Sequence, residues 1–503
     1  MSFGPSRFVR GGPICVVRAP VVEERGTSSK PAPVAGRHIS GTPSLILRNA
    51  STKGIGVTSD LRIGVIGCGY LGATTASCLA ALGFHVIAQD ISTERIAALS
   101  AGQTPFFEPG LDDLVAEGVA SGRLEFTHDL EKVADHADAI FLCLGTPQVH
   151  GELQADLSQF ESACASLFPL LTRPVVVIGK STTPVGSAAR FREEARALAP
   201  AGDALELCWN PEFLQEGNAI RNTLHPDRIV IGLHPDDSRS EAVVRRIFAT
   251  PIAEDGVPVI TTDLQTAELV KASANAFLAT KISFINAMSE VCTAAGGDVV
   301  TLSEALSHDV RIGGRFLHPG LGFGGGCLPK DIRAFMARAS EIGVPHALGF
   351  LHEVDMINRR CREHVVALAE TLLDGDVREK RITILGAAFK PGSDDIRDSP
   401  ALDVAGQLHL AGADVVVHDP RAIEPARRER PKLEYAEDLV KACHEADLVM
   451  LLTDWADYVE LDPAELVDIV RRPVIIDARH CLDPAAWIAA GFDYRSLGRH
   501  QFA

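Results

Sequence analysis

The densest chemistry in the chain is the run Gly320-Leu321-Gly322-Phe323-Gly324-Gly325-Gly326-Cys327-Leu328-Pro329-Lys330-Asp331. Five glycines crowd one cysteine there, which suits a backbone that must approach a ligand closely. Lys330 can stabilise a thiolate and Asp331 can serve as a base, so Cys327 reads as a covalent nucleophile. A structural cysteine would sit instead in an apolar strand, as Cys143 does. Lys271 and Asn275 lie four residues apart, on one face of a predicted helix whose neighbours are Ala and Leu. A buried lysine is costly and needs a purpose, with an ion pair to Glu268 as the plain alternative. In Asn210-Pro211-Glu212-Phe213-Leu214-Gln215-Glu216-Gly217 the two acids at i and i+4 could share a helix face, or simply be solvated. Lys180-Ser181-Thr182-Thr183 follows a predicted strand, where ligands bind in doubly wound sheets; a capped polar loop would look the same.

A second group of residues points to nucleotides. Gly67-x-Gly69-x-x-Gly72, with Tyr70 and Leu71 inside it, follows a predicted strand and opens a predicted helix. Asp90 comes 90 − 67 = 23 residues after the first glycine, near the ~20 of a dinucleotide fingerprint. The glycines let the pyrophosphate reach a helix N-terminus, and Asp90 would accept the ribose 2′-hydroxyl and repel a 2′-phosphate. The expected cofactor is therefore NAD rather than NADP. Farther on, Phe389-Lys390-Pro391-Gly392-Ser393-Asp394-Asp395-Ile396-Arg397 occupies a similar place after another strand, without the glycine fingerprint. Its cations suggest a different phosphate ligand, and Asp477-Ala478-Arg479 could add one more.

The elements that must position these residues alternate strand and helix from Leu61 onward. Arg62–Ile66, His85–Ala88, Ala139–Leu144 and Pro174–Gly179 read as strands, with Ala73–Leu82 helical. The grammar returns in Arg381–Leu385, Asp414–Val417, Leu448–Leu452 and Val474–Ile476. The strings Ala137-Asp138-Ala139-Ile140 and Ala446-Asp447-Leu448-Val449 echo one another. Between the two sets, Thr266–Ala295 and His346–Leu373 have helical spacing. The expected fold is α/β, with two Rossmann-like, doubly wound parallel-sheet domains joined by a central helical segment. The domains are expected at residues 61–255 (NAD-binding), 256–375 (helical, with the cysteine loop) and 376–503 (the second Rossmann-like unit, for the other phosphate ligand), after a disordered or mis-started tail over 1–60.

Composition narrows the classes. The 503 residues carry 66 acids against 48 bases, a net charge of −18. That balance disfavours bulk binding to nucleic acid or an anionic membrane. The eleven cysteines are odd in number and include no Cys-x-x-Cys. Neither a disulfide framework nor a structural metal site is expected, and a reducing cytoplasm suits the chain. No apolar run approaches the ~18 residues of a membrane span. The central helices suggest a homodimer or higher homo-oligomer.

In this order the motifs resemble the nucleotide-diphosphate-sugar 6-dehydrogenases, the UDP-glucose/GDP-mannose dehydrogenase family, from about Leu61 to about Gly498. The resemblance implies oxidation of a sugar C6 alcohol to a carboxylate with two NAD in turn, UDP-glucose being the expected substrate. Cys327 would hold a thiohemiacetal and then a thioester. Lys271 would stabilise the oxyanion and Asn275 would orient the sugar. Glu212, Thr182 and Asp331 would position or activate base and water. Gly67, Gly69, Tyr70, Leu71, Gly72, Asp90, Arg95, Thr146, Thr182, Glu216 and Lys330 would hold the cofactor. Glu212, Phe213, Leu214, Lys271, Asn275, Phe316, Gly324, Phe389, Lys390 and Arg479 would meet the sugar nucleotide, with Arg479 coming across from a partner subunit. Gly326, Gln215 and Thr183 depart from common family residues without removing a catalytic group. The alternatives are the same chemistry on GDP-mannose or a UDP-N-acetylhexosamine, a two-electron NAD hydroxy-acid dehydrogenase, and an inactive nucleotide-sugar sensor.

Overall fold

The protein is described by a computed structural model covering residues 60–502. The reading of the N-terminal tail therefore lies outside the described residues, apart from Asp60. The first sheet contains β1 (Arg62–Ile66), β2 (His85–Gln89), β3 (Leu124–Thr127), β4 (Ala139–Leu142), β5 (Val175–Gly179), β6 (Leu205–Trp209), β7 (Ile229–Leu233) and β8 (Val259–Asp263). Their spatial order is β3-β2-β1-β4-β5-β6-β7-β8. Neighbours run parallel except at β6–β7, where the direction reverses. The second sheet contains β9 (Arg381–Leu385), β10 (Asp414–His418), β11 (Glu434–Tyr435), β12 (Leu448–Leu451), β13 (Val474–Asp477) and β14 (Asp493–Arg495). Its order is β11-β10-β9-β12-β13-β14, all parallel.

Both sheets thus share the 3-2-1-4-5-6 order of a doubly wound fold. Strands β4, β5, β12 and β13 are buried at every residue, because helices cover both faces of a parallel sheet. The strand order reverses between β1 and β4 and again between β9 and β12. A crevice opens at each reversal, at the C-terminal ends of the strands, and these are where the motif residues emerge.

The helix Leu264–Ala295 leaves the first sheet directly from β8. Asp263 caps it by accepting the Thr266 N–H at 2.7 Å, and Gly296 at φ 77° ends it. Its 32 residues span about 48 Å at 1.5 Å each. It packs against the helices Leu328–Glu341 and Phe350–Leu372 through Ala276, Ala279, Ile332, Leu351 and Val354. Phe323 joins that cluster and so anchors the cysteine loop to the helices. Asn358 fastens the same residue by accepting its N–H at 2.8 Å and donating to its carbonyl at 2.9 Å.

Two details differ from expectation. The first helix begins at Tyr70 rather than Ala73, so Gly72 lies within it. Gly72 must be glycine there, because a Cβ would sit 1.7 Å from the Gly67 carbonyl oxygen. The stretch from Asn210 to Gly217 is not helical, and the next helix starts at Ala219. Pro211 lacks an N–H, Gly217 has φ 76°, and the Glu212 carboxylate folds back onto the Leu214 N–H at 2.5 Å. Glu212 and Glu216 consequently share no helix face and take different partners.

Candidate active site

Cys327 is the residue immediately before the helix Leu328–Glu341, and the helix N-terminus favours negative charge at that point. Gly320 to Gly325 are buried, whereas Cys327 is reachable by solvent. Its thiol nonetheless stands in a crowded cleft. Burial, then Asp331 and Glu212, push its pKa up to about 11, against the pull of Lys271 and Lys330. The thiol is therefore protonated at neutral pH, so a nucleophilic role for it requires a proton acceptor.

The helix Leu264–Ala295 presents Glu268, Lys271 and Asn275 on its buried side. Lys271 is 4% exposed, and its Nζ lies 2.8 Å from Glu212 Oε1. The plain alternative, an ion pair with Glu268, does not form. Glu268 instead accepts the Gly186 and Ala188 N–H groups at 2.7 and 2.9 Å and the Thr183 hydroxyl at 3.1 Å. Burial opposes the charge on Lys271, but Glu212, Cys327 and Asp331 outweigh it and raise its pKa. Lys271 is thus a fixed cation beside the thiol. Asn275 Nδ2 donates to Asp331 Oδ2 at 2.6 Å, and Lys330 Nζ reaches Asp331 Oδ1 at 2.5 Å. Two helices therefore bring Cys327, Lys271, Asn275 and Asp331 to one place. Thr146 joins this group: it donates to the Thr182 carbonyl at 2.8 Å and receives Lys330 Nζ at 3.4 Å. Thr146, Thr182, Pro184, Lys330, Asp331 and Phe335 line one cleft.

The glycine turn lies at the β1–β4 crevice. Gly67 has φ 89°, and a Cβ at Gly69 would meet only open space. No side chain caps the helix Tyr70–Ala81, so Leu71, Gly72 and their neighbours offer a helix N-terminus free to meet an anion. Asp90 accepts the Cys68 N–H at 2.7 Å, the Ser92 N–H at 2.8 Å and Arg95 Nη1 at 2.8 Å. A carboxylate has about four acceptor sites, so one remains for a ribose hydroxyl. The turn thus fits a dinucleotide.

The residues expected to meet the sugar nucleotide come from four segments. Phe213 is stacked under the Arg228 guanidinium, 3.7 Å from the ring centroid, with Lys271 Nζ at 5.7 Å. Leu214 is held by Glu212 as described above. Glu216 receives Ser393 Oγ at 3.1 Å and Arg397 Nη2 at 3.2 Å. Burial and then Asp395 raise its pKa to about 7. The Phe389 ring fits over Gly325, where a Cβ would lie 2.7 Å from it, and Lys390 Nζ lies 5.4 Å from that ring. Gly324 allows Asp398 to approach, since a Cβ would come within 2.2 Å of its carbonyl oxygen. Phe316 adopts φ 62° in the loop leading to the glycine run. Arg479 is engaged within its own chain: Nε donates to the Leu452 carbonyl at 2.7 Å and Nη1 to the Gly322 carbonyl at 3.1 Å. Its Nη2 is buried without a partner.

Two site residues were not singled out from sequence. Arg228 stacks beneath Phe213, and Glu108 ties down the end of the Asn210–Gly217 loop. A lone acid between Phe107 and the Pro109-Gly110 turn was the available signal for Glu108. Among the described residues no group of three or more His, Cys, Asp and Glu is arranged to hold a metal. No described helix is long and apolar enough to cross a membrane.

Residues 61–252 match the UDP-glucose/GDP-mannose dehydrogenase family, NAD binding domain. Residues 265–360 match the family's central domain and 383–484 its UDP binding domain. The chain is 39% identical over 441 residues to the UDP-glucose 6-dehydrogenase of Rhizobium meliloti (strain 1021), covering 87% of this chain and 100% of that protein. It is 37% identical over 440 residues to the UDP-glucose 6-dehydrogenase TuaD of Bacillus subtilis (strain 168), covering 87% and 93%. Among solved structures, a UDP-glucose dehydrogenase from Pyrobaculum islandicum aligns with TM-score 0.77 and 34% identity over 84% of this chain and 94% of that one. A UDP-D-ManNAc dehydrogenase from Pyrococcus horikoshii aligns with TM-score 0.76 and 25% identity, covering 88% and 100%.

Proposed function

We propose, because this chain belongs to the UDP-glucose/GDP-mannose dehydrogenase family, that it oxidises UDP-glucose to UDP-glucuronate with NAD, in two rounds at one cysteine. The observation that carries this reading is the convergence of Cys327, Lys271, Asn275 and Asp331 from two helices. NAD, exchanged once, supplies the two-electron acceptor for each round. Gly67, Gly69, Tyr70, Leu71, Gly72, Asp90, Arg95, Thr146, Thr182, Glu216 and Lys330 are the residues to hold it.

In the first round the C6 alcohol loses a hydride and its hydroxyl proton, leaving an aldehyde. The Cys327 sulfur bonds to C6 as a proton replaces the carbonyl π bond on oxygen and the thiol proton is released, giving a thiohemiacetal. Loss of a second hydride from C6, together with the hydroxyl proton of the thiohemiacetal, leaves a thioester. Water then adds to the carbonyl, the C–S bond breaks, and the carboxylate leaves with Cys327 restored as a thiol. Lys271, held cationic by Glu212 and Asp331, stabilises the oxygen that gains charge. It does not act as the base, because its pKa is raised. Asn275 orients the sugar from the same helix face. Glu212, Thr182 and Asp331 position or activate the base and the water. Phe213, Leu214, Glu216, Phe316, Gly324, Phe389, Lys390 and Arg479 frame the sugar nucleotide. Holding the aldehyde on sulfur keeps a reactive intermediate from escaping.

The domain reading follows the same division: cofactor on residues 61–255, the helical segment with the cysteine loop on 256–375, UDP-sugar on 376–503, and catalysis in the cytoplasm. A homo-oligomer is supported by Phe277, Phe284 and Val291, which are 67, 48 and 55% exposed on one long helix. They recur every seven residues and so form one apolar stripe. A second copy would cover it, and light scattering of the full chain at a monomer mass would refute this.

The test of function is the NADH yield from limiting UDP-glucose, with GDP-mannose and UDP-N-acetylmannosamine alongside, for the native chain and Cys327→Ser. The expected result is two NADH from UDP-glucose alone and no completed turnover by Cys327→Ser. One NADH, with Cys327→Ser unaffected, would favour a two-electron dehydrogenase. Two NADH from an N-acetylated sugar instead would move the substrate, and the likeness to the Pyrococcus enzyme gives that second reading its basis.

A further inference from the structure

The segment Asn210–Gly217 carries Glu212 and Phe213 and belongs to no helix or strand, so its position depends on what holds its ends. At its start, the buried Lys180 ammonium donates to Asn210 Oδ1 at 3.2 Å. At its end stands Glu108, 5% exposed, on the turn before the helix Leu111–Ala120. Glu108 Oε2 accepts the Gly217 N–H at 2.6 Å, and Oε1 accepts the Ala219 N–H at 2.7 Å. The Tyr70 hydroxyl donates to Oε2 as well, and also receives the Gly217 N–H at 3.1 Å. Tyr70 is the first residue of the helix that opens from the glycine turn, and its ring packs on Phe106 at 4.9 Å. One carboxylate therefore joins the cofactor turn to the end of the loop that bears Glu212. The neighbouring Phe107 N–H donates to Asp394 Oδ1 at 3.0 Å, which ties the same turn to the loop carrying Phe389 and Lys390.

We propose that Glu108 is a positioning residue that couples cofactor binding at the glycine turn to the seating of the Asn210–Gly217 loop, and hence to sugar-nucleotide binding. The proposal rests on the dehydrogenase reading above. Its physical basis is that a buried carboxylate with three donors cannot release one of them cheaply. A shift of Tyr70 on filling the turn therefore carries Glu108 and Gly217 with it. The coupling is reciprocal, so the sugar nucleotide must tighten the cofactor by the same factor.

NADH and UDP-glucose form a pair that does not react forward, and this makes the coupling measurable. NADH affinity of the full chain is titrated by fluorescence with and without saturating UDP-glucose. The native ratio of the two dissociation constants is expected to be about tenfold. It falls to near one in Glu108→Gln, which replaces one acceptor oxygen by a donor. Tyr70→Phe, which keeps the ring packing and removes only the hydroxyl, gives the same collapse. Melting temperatures of both variants identify any that fail to fold. A native ratio of one, or a ratio unchanged in the folded variants, overturns the proposal, even if both bind NADH more weakly. Two NADH per UDP-glucose alongside an unchanged ratio sinks this inference alone. No NADH from any sugar nucleotide sinks the dehydrogenase reading instead.

Discussion

The two α/β units share a scaffold at one end of their strands and diverge at the other. At the N-terminal ends, Asp138 accepts the Arg62 N–H at 3.0 Å, and Asp447 accepts the Arg381 N–H at 2.9 Å. These are equivalent bonds, and they explain why the two Ala-Asp strings read alike. At the C-terminal ends an aspartate closes the second strand of each unit, but its acceptor sites are used differently. Asp90 receives three donors from its own chain. Asp419 receives five: the Ala387, Ala388, Arg421 and Ala422 N–H groups and Trp455 Nε1, at 2.7 to 3.1 Å. The second turn is filled as well. A Cβ at Gly386 would lie 2.4 Å from Thr453 Oγ1, and the Thr453 and Ser399 hydroxyls each donate at 2.7 Å, to the Ala388 and Ala387 carbonyls. One topology thus yields one turn whose aspartate keeps an acceptor site for a ribose hydroxyl and one whose aspartate has spent its acceptor sites on its own chain. Topology alone does not make a site, and unspent hydrogen-bonding capacity does.

The sharpest way to break this comparison is to exchange each aspartate for asparagine. Asp419→Asn leaves several buried N–H groups short of an acceptor and should cost about 3 kcal/mol of stability. Urea unfolding would detect that loss. Asp90→Asn should spare most of the stability and weaken NAD by about tenfold, through the ribose contact. Equal stability losses would mean that the two turns do the same structural job. A smaller effect is expected where the units meet, at Glu216. Its pKa in the folded chain is about 7, against an ordinary 4.5. Between those values the folded state holds a proton that the unfolded state has released, so stability falls as pH rises from about 4.5 through 7. The limit is about 3 kcal/mol. Denaturant midpoints at pH 5 and pH 8 should differ more for the native chain than for Glu216→Gln. Equal slopes would remove Glu216 from the account.

The regular elements were legible where the pattern was strong. The inner strands β1, β4, β5, β9 and β12 announce themselves as short apolar runs because both faces are covered. The two-residue β11 and the largely exposed β8 lack that signal and form only because a neighbour offers its edge. The acid pair Glu212 and Glu216 misled, since i and i+4 spacing is compatible with a helix but does not compel one. Pro211 and Gly217 flank the pair, and tertiary partners then drew the two carboxylates apart. Lys271 was read as a buried lysine that needs a purpose, and it is buried; the plain alternative of a pair with Glu268 gives way to Glu212, a partner that linear spacing does not mark.

By itself the sequence determined the α/β class, the two-sheet plan, the cofactor fingerprint and the residue types gathered around Cys327. These depend on periodicity and on glycine stereochemistry, which are local properties of the chain. Only the tertiary structure decided which group answers which: Lys271 with Glu212, Asn275 with Asp331, Glu216 with Arg397, and Glu108 with the Asn210–Gly217 loop. Those pairings join residues up to 181 positions apart in sequence. The cost of leaving a buried charge unmatched is paid in three-dimensional space, where linear spacing carries no record of the neighbour.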